Sequence, residues 1–535
     1  MIFKLNNWFY VAVVLLLLAS CARRGRPSGG PKDELPPIVI TAKPEHLSIN
    51  FDEEKIRISF DEYIKLKDIN QQLVVSPPLE NQPIITPVGT ASQDINIRIT
   101  DTLKPNTTYT FNFGNSVVDN NEENPLAQFK YIFSTGDYID SLSISGRISD
   151  AFNLESEKNV SVQLYEITEE FSDSIIYKER PSYVANTLDS IAFELTNLKE
   201  GTYLMVAIKD VSRNYKFDAK VDKIGYHPTY ITIPNDTIFE LTLFNEVLPF
   251  RFIRPSENKM GQLYFGYEGD PTGASIKLLS PPDSIFNSHI VFEKDKDTLS
   301  YWYTPINADS LLFEVSKNEY LDTLKVFLRK KERDSLRISQ VTSGVLSLKD
   351  TFSISSNVPM LNIRKSQISI LDKDSLPVNF TMHLSSSKQE LKLNFDKNFE
   401  ENYNLRFLPN AIEDLFGDTN DTLNMTARTG TLDMYGTIQL NMQNAASYPY
   451  ILELLNSKQE IIEQIYVREN NRFKFEYLTP DNYQFRVIYD TNENGIWDTG
   501  NFLKRIKPEK VVYRKGEIEI KPNWEQIEDF NLNLK

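Results

Sequence analysis

The feature that most constrains this chain is a repeated alternation of apolar and polar residues with a period of two. Clear examples are residues 56–60, 95–99 and 109–113. Such alternation turns one face of a strand toward a core and the other toward water, as in antiparallel sandwiches. No long segment shows the 3.6-residue spacing of an amphipathic helix. The predicted fold class is therefore all-β, with tandem antiparallel β-sandwiches.

The amino terminus has the pattern of a cleaved export signal. Lys4 precedes an apolar run over residues 8–18, and residues 18–21 read Leu-Ala-Ser-Cys. The run is too short for a permanent span, which needs about 20 apolar residues. Leu-Ala-Ser-Cys resembles the lipobox of bacterial lipoproteins, which implies cleavage after residue 20 and acylation of Cys21. An ordinary signal peptide that ends by chance in cysteine is the alternative.

Residues 21–36 are dense in Gly, Pro and charge, which predicts a solvated tether behind the lipid anchor. Ala22 follows the cysteine, and by resemblance to other diderm lipoproteins this favours the outer membrane. Arg23, Arg24 and Arg26 lie where surface-exported lipoproteins of the Bacteroidota carry acidic residues. An orientation toward the periplasm is therefore expected, with the cell surface as the alternative.

Charge and cysteine content narrow the classes of partner. The chain has 58 Lys and Arg against 74 Asp and Glu, for a formal net charge of −16. Such an acidic surface repels nucleic acid, so no nucleic-acid partner is predicted. Cys21 is the only cysteine of the 535 residues, so no disulfide is available. The expected partners are the membrane, through the lipid on Cys21, and an envelope protein or a glycan.

Two segments resemble known β-sandwich families. Phe60-Asp-Glu, the run over residues 103–109 and Phe-Ser-Thr-Gly at 133–136 resemble, in order and spacing, the SbsA-type bacterial Ig-like domain. Residues 193–203 follow the pattern Phe-x-Leu-x-x-Leu-x-x-Gly-x-Tyr, which resembles prealbumin-like accessory sandwiches. Both resemblances imply scaffolds and carry no catalytic signature.

The last 180 or so residues repeat these two units in the same order. Tyr109 corresponds to Tyr403, and Tyr203 to Tyr483, each pair within a longer ungapped match. The predicted units are a signal peptide (1–20), the lipidated cysteine and tether (21–36), an SbsA-type Ig-like domain (37–137), a prealbumin-like sandwich (138–249), a sandwich of unknown type (250–351), a divergent second Ig-like domain (352–430) and a second prealbumin-like sandwich (431–535).

One loop carries recognisable chemistry. Asp490, Asn492, Asn494 and Asp498 occupy relative positions 1, 3, 5 and 9, with Gly495 at 6 and the carbonyl of Ile496 at 7. These are oxygen ligands at the spacing of a calcium loop, and the segment resembles EF-hand and dockerin loops. Position 12 is Asn501 instead of the bidentate glutamate, which implies weak affinity. The alternative is an Asn/Asp/Gly hairpin whose side chains bond their own backbone.

Other functional signals are sparse. Trp497 either stacks on a sugar or covers the local core. No His-x-x-x-His, nucleophile-elbow or phosphate-loop pattern occurs, so no catalytic residue is assigned. An acid/base pair assembled only by folding stays open, and with it a hydrolase.

The leading interpretation is a non-enzymatic envelope lipoprotein that acts as a structural or interaction scaffold, similar to Ig-like-domain lipoproteins of the Bacteroidota. The alternative is a glycan- or peptide-binding lipoprotein of an outer-membrane uptake complex. The one cofactor that the sequence suggests is calcium, bound at this loop.

Overall fold

A computed structural model describes residues 32–279, 286–294, 296–329, 331–342, 344–444 and 449–533. The predicted signal peptide, Cys21 and residues 21–31 of the tether lie outside the described residues. The all-β class and the tandem antiparallel sandwiches are confirmed, with five sandwiches following one another along the chain.

The first sandwich has one sheet in the order β1-β2-β5-β4, to which β7 is added beside β2, and a second sheet in the order β3-β6-β8. Its core centres on Phe133, whose ring lies 3.9 Å from that of Phe51 and 5.6 Å from that of Tyr109. The strands are β1 (Val39–Lys43), β2 (Lys55–Leu66), β3 (Val74–Ser76), β4 (Ile84–Thr86), β5 (Ser92–Arg98), β6 (Thr108–Asn112), β7 (Val117–Asp119) and β8 (Lys130–Ser134), with a one-turn helix α1 (Ile69–Gln72).

The second sandwich pairs a sheet of order β11-β10-β13-β14, with β15 beside β13, against a sheet of order β12-β9-β16. β16 runs parallel to β9. The strands are β9 (Leu142–Asp150), β10 (Ser161–Glu166), β11 (Tyr183–Asn186), β12 (Ala192–Leu198), β13 (Gly201–Lys209), β14 (Lys223–Tyr226), β15 (Ile231–Ile233) and β16 (Ile238–Leu243), with a 3₁₀ turn at Asp173–Tyr177.

The third sandwich, which matched no family by sequence, has sheets of order β17-β19-β22-β21, with β18 beside β19, and β20-β23-β24. Its buried rings include Phe265 and Phe313, which meet edge to face at 5.3 Å. The strands are β17 (Arg251–Phe252), β18 (Ser256–Lys259), β19 (Gln262–Glu268), β20 (Ser275–Leu278), β21 (Ser288–Phe292), β22 (Thr298–Tyr303), β23 (Ser310–Lys317) and β24 (Tyr320–Phe327).

The fourth sandwich has sheets of order β25-β27-β31-β30 and β26-β34-β32-β29, together with the pair β28-β33. β25 and β26 both lie within the segment 250–351 assigned by sequence to the third domain, yet they pair with β27 and β34 of the fourth sandwich. β25 has three residues and no fully buried side chain, and β26 has only two residues, so alternation marks neither strand. The strands are β25 (Ile338–Gln340), β26 (Val345–Leu346), β27 (Phe352–Ser356), β28 (Met360–Ile363), β29 (Ile368–Leu371), β30 (Phe380–Leu384), β31 (Glu390–Phe395), β32 (Asn402–Phe407), β33 (Ile412–Asp414) and β34 (Leu423–Thr429), with 3₁₀ turns at Lys365–Gln367 and, just after the sandwich, Leu432–Met434.

The fifth sandwich repeats the topology of the second. Its sheets have the order β37-β36-β39-β40, with β41 beside β39, and β38-β35-β42. β42 runs parallel to β35, as β16 does to β9. The fold of the fifth sandwich therefore repeats that of the second, as the sequence match between these two units predicts. The strands are β35 (Gly436–Gln443), β36 (Tyr450–Leu455), β37 (Ile461–Val467), β38 (Arg472–Leu478), β39 (Asp481–Tyr489), β40 (Val511–Tyr513), β41 (Ile518–Ile520) and β42 (Glu525–Asn531).

Candidate functional site: the loop after strand β39 and its seat on the second sandwich

The loop begins where β39 ends, and its first residue organises it. Asp490 is almost fully buried. Its two carboxylate oxygens accept hydrogen bonds from the backbone N–H groups of Asn494, at 3.1 Å, and Gly495, at 2.7 Å. Gly495 has a φ of 80°, in the left-handed region that favours glycine. The carboxylate therefore closes a tight turn over the next five residues.

The other predicted ligands lie in the same turn. The side-chain amides of Asn492 and Asn494 both donate to Asp498 Oδ2, at 2.7 and 2.6 Å. The amide oxygen of Asn494 accepts from the N–H of Ile496 at 2.9 Å. All five predicted residues are thus brought together, and each Asp and Asn side chain accepts at least one hydrogen bond within the loop. Ile496 itself is exposed.

Glu509 is a member of this site that the sequence did not reveal. It is buried, and its Oε1 accepts from the N–H and the hydroxyl of Thr491, at 2.6 and 2.8 Å. Its Oε2 accepts from the N–H of Asp498 at 3.1 Å. Glu509 lies beyond the twelve positions of a calcium loop, just before β40, so no spacing rule pointed to it. Its carboxylate bonds to both ends of the predicted ligand run.

This geometry corresponds to the hydrogen-bonded hairpin that was the alternative to a metal loop. Among the residues that the structure describes, no three His, Cys, Asp or Glu side chains form a cluster that would hold a metal ion. Asp490, Asp498 and Glu509 instead accept N–H groups. Calcium binding stays a prediction, and it requires the Asn492 and Asn494 amides to present oxygen where they now donate.

Trp497 covers a local core. Its ring centroid lies 4.8 Å from that of Phe152 in the second sandwich, and its Nε1 donates to the backbone oxygen of Glu509 at 3.0 Å. One face of the indole and its only donor are thereby occupied within the protein. The core alternative therefore describes Trp497 better than sugar stacking.

The second half of the loop is seated on the second sandwich. Phe502 has no exposed surface and lies in the cluster formed there by Tyr226 and Phe244. Gly500 passes so close that a Cβ would come within 2.8 Å of the Phe244 ring. Only glycine fits this approach without displacing backbone or ring. A loop of the fifth sandwich thus completes a hydrophobic core of the second.

Polar contacts surround this hydrophobic seat. The backbone N–H of Phe502 donates to Glu246, and the hydroxyl of Thr499 donates to the carbonyl of Asn245. Burial raises the pKa of the Glu246 carboxyl, while the hydrogen bond from Phe502 acts in the opposite direction. Phe502 and Glu246 are more than 250 positions apart in the sequence.

Arg505 lies at the edge of the contact between the loop and the second sandwich. Its guanidinium donates to both carboxylate oxygens of Asp173, with contacts of 2.7 and 3.1 Å. The same group lies over the rings of Tyr226 and Tyr230, at 5.5 and 5.6 Å from their centroids. A planar guanidinium suits such combined ion pairing and stacking. The ion pair therefore fixes the orientation of the loop on the second sandwich.

Phe152 supplies a reciprocal contact into the fifth sandwich. The Arg486 guanidinium lies 4.3 Å from its ring centroid, and Tyr513 donates to its backbone oxygen at 2.9 Å. Arg486 also forms a buried ion pair with Glu453. Phe502 thus enters a core of the second sandwich, and the half-buried Phe152 of the second contacts side chains of the fifth in return.

The contact between the fifth and second sandwiches closes a ring. Lys220 of the second sandwich pairs with Glu268 of the third at 2.9 Å, and the ring of Trp302 in the third lies 6.1 Å from that of Phe416 in the fourth. Tyr435, at the start of the fifth, donates to the carbonyl of Leu346 in the fourth. Sandwiches two to five therefore each contact two others in a closed series, which we call the ring.

Comparisons with known proteins identify part of the chain. Residues 33–135 match the family described as a bacterial Ig-like domain, which overlaps the predicted first domain at 37–137. The first sandwich is therefore Ig-like. A search of curated proteins found no match.

The chain is also similar to several solved structures. Domains 1-6 of the surface layer protein SbsC are 10% identical, with 91% of this chain and 68% of that chain covered and a TM-score of 0.14. BcpA, the major pilin subunit of Bacillus cereus, is 9% identical, with 73% and 98% covered and a TM-score of 0.14. The Bacillus anthracis TIE protein is 9% identical, with 98% and 78% covered and a TM-score of 0.14.

Within the described residues no helix is long and apolar enough to cross a membrane.

Proposed function

We propose that this chain is a non-enzymatic, lipid-anchored scaffold of the cell envelope. The observation that carries the proposal is the ring. The loop that contains Phe502 and Arg505 fixes the position of the fifth sandwich on the second. Such a contact holds domains in defined relative positions. That is the property required of a scaffold that presents surfaces to other envelope components.

The anchor in this proposal is Cys21 at the end of the Leu-Ala-Ser-Cys motif. Two or more acyl chains hold a protein stably on a bilayer, whereas one gives only marginal binding. Residues 21–36 would connect the lipid to the Ig-like domain. Ala22 and the arginines that follow favour the outer membrane and an orientation toward the periplasm.

The distribution of reactive groups supports a non-enzymatic role. The four histidines, His46, His227, His289 and His383, lie in four different sandwiches. At the candidate site, the carboxylates of Asp490 and Glu509 accept hydrogen bonds from N–H groups of the loop. These contacts stabilise the backbone geometry of the loop.

The anchor is tested by fractionation and mass spectrometry of the protein from its own cells. We expect the wild-type protein in the outer-membrane fraction with an acylated Cys21 at its amino terminus. Cys21→Ser should remain unprocessed or lose the acyl mass. An unmodified Cys21 in the mature protein would overturn the lipoprotein assignment.

The non-enzymatic role is tested separately with purified protein. We expect no turnover of peptidoglycan or of envelope glycans. Hydrolysis that survives repurification and disappears on substitution of a single carboxylate would establish the enzyme alternative instead.

A further inference from the structure

A groove lies between the first and second sandwiches, away from the ring contact. It encloses 180 Å³, and its floor is formed by apolar side chains of the Ig-like domain, namely Ile69, Leu73, Val75, Leu79 and Ile85. Arg180, Arg213 and Tyr215 of the second sandwich form the facing wall. The groove is therefore apolar on one side and cationic on the other.

The two walls are held together by direct contacts. The Arg213 guanidinium donates to the backbone oxygen of Asn70 at 3.1 Å, and the N–H of Val184 donates to Ser76 Oγ at 3.1 Å. Deeper in the junction, Thr108 donates to Asp140 at 2.8 Å. These bonds cross from one domain to the other, so the groove is formed before any ligand arrives.

The cationic wall stands out in a chain with a net charge of −16. Among the described residues, no Asp or Glu lies within ion-pair distance of Arg180 or Arg213. Arg180, Arg213 and Tyr215 line the same cavity. Burial and the Asp210 carboxylate raise the pKa of the Tyr215 phenol, and the two guanidinium groups act to lower it. Two guanidinium groups and a phenol O–H are donors that match a carboxylate.

The backbone of this wall is unusual. Arg213 and Tyr215 have φ angles of 54° and 59°, in the left-handed region that non-glycine residues seldom adopt. The turn is held by Asp210, whose Oδ2 accepts from the N–H of Tyr215 at 2.7 Å. Non-glycine residues persist in such conformations when their surroundings enforce them, and they are frequent at ligand sites.

We propose that this groove binds the carboxyl-terminal residue of a partner polypeptide, with an apolar side chain on the Ig-like floor and the terminal carboxylate between Arg180 and Arg213. The size of the groove favours a chain end. Pockets for whole small ligands usually enclose about 300–1,000 Å³, whereas this one admits a single side chain.

The rim favours a peptide over other carboxylates. Asn70, Asn81 and Gln82 border the groove, and each side-chain amide carries both a donor and an acceptor. These groups complement the N–H and C=O groups of an extended peptide leaving the site. The side-chain amide of Asn81 already donates to Asp101 Oδ1 at 2.7 Å, so Asn70 and Gln82 are the rim groups most available to a peptide. The inference deepens the scaffold role by naming a class of partner, and it rests on that role.

The test uses the mature chain and pools of short fluorescein-labelled peptides with random sequence and a fixed last residue. Pools ending in Leu or Phe with a free carboxylate are compared with the same pools amidated and with pools ending in Lys, by fluorescence polarisation. We expect saturable binding of the Leu and Phe acids below about 1 mM and a loss of about tenfold or more on amidation.

The double variant Arg180→Gln with Arg213→Gln should lose this binding. Arg147→Gln with Arg472→Gln is the matched control, because it removes the same charge from two exposed arginines outside the groove. Equal melting temperatures of the two variants would exclude a folding defect as the cause.

Three results would overturn the proposal. The first is equal binding of the amidated and the acid pools, and the second is unchanged binding by the groove variant. The third is binding of octanoate without binding of any peptide pool, which would identify a small amphiphile as the occupant. These readouts do not depend on ring closure or on lipidation, so failure here is distinguishable from failure of the scaffold proposal.

Discussion

The ring of Phe502 in the fifth sandwich lies 5.5 Å from that of Tyr226 in the second, at an interplanar angle of 71°. Edge-to-face contacts of this kind add to the free energy gained by burying the rings. Phe502 has no exposed surface, so the contact is equivalent to one inside a domain. It is the basis for the first two predictions below.

Phe502→Ala should release the fifth sandwich from the second. Removing a fully buried phenylalanine costs about 3–5 kcal/mol, and here the cost falls on the docked arrangement. We expect a larger radius of gyration by small-angle scattering, with an unchanged far-ultraviolet circular dichroism spectrum. Leu503→Ala is the matched control, because Leu503 is the next residue and is 52% exposed. Identical scattering of the two variants would contradict a closed ring.

The same contact should depend on pH through Glu246. Burial raises the pKa of Glu246 in the docked state, so that state binds a proton more tightly than the undocked one. Docking should therefore strengthen as the pH falls through the raised pKa toward the ordinary value of 4.5, and be weakest at neutral and alkaline pH. The nearby Tyr177 and Tyr226 have raised pKa values and stay neutral over this window.

The measurement for this pH effect is the urea midpoint of docking, followed by Trp497 fluorescence at about pH 5 and about pH 8. Glu246→Gln keeps the acceptor for the Phe502 N–H and does not titrate in this range. We expect a higher midpoint at the lower pH in the wild type and a flat profile in the variant. A steeper profile in the variant would show that another group is responsible.

Calcium should raise the melting temperature of the full chain in a saturable way at millimolar concentration if the loop binds it, because a ligand that binds only the folded state stabilises it by mass action. Weak affinity is expected, since Asn501 replaces the bidentate glutamate. Asp498→Asn preserves an acceptor for the two asparagine amides and removes a charge. The variant should keep the turn and lose the calcium response. An equal response of both proteins would place the ion elsewhere.

Arg486→Met should strongly destabilise the fifth sandwich. Arg486 and Glu453 are both buried, and removing one member of a buried pair leaves an uncompensated charge at a cost of about 3–5 kcal/mol. Glu453→Met with Arg486→Met should recover most of that loss, since an apolar pair of similar volume carries no buried charge. Urea unfolding of the wild type, the single variant and the double variant tests this. A double variant no more stable than the single one would contradict the argument.

Local pattern was sufficient to predict the sandwiches. Tyr203 and Tyr483 recur at the same place in β13 and β39, and both are buried as the repeat implied. Alternation reports which side of a strand meets a core, and that is a property of neighbouring residues. β25 escaped prediction because three residues without a fully buried side chain give no such signal.

The contacts that join the sandwiches were beyond reach of the sequence alone. Phe502 looks like any loop phenylalanine, and its partner Glu246 lies on a different domain. Arg505 and Asp173 are 332 positions apart. Glu509 falls outside the spacing of known calcium loops. Each of these roles arises from tertiary proximity, which a single sequence does not encode in any local pattern.

The reciprocal seating of Phe502 and Phe152 also determines how mechanical load travels through the chain. Tension between the first domain and the last strand can pass from the fifth sandwich directly into the second, so the third and fourth carry little of it. Because Phe502 is part of a hydrophobic core of the second sandwich, a pull strong enough to separate the contact would open that core and free the third and fourth sandwiches to extend the chain. The contact between the fifth and second sandwiches would thus separate under load, and the third and fourth sandwiches would then add to the length over which the chain extends.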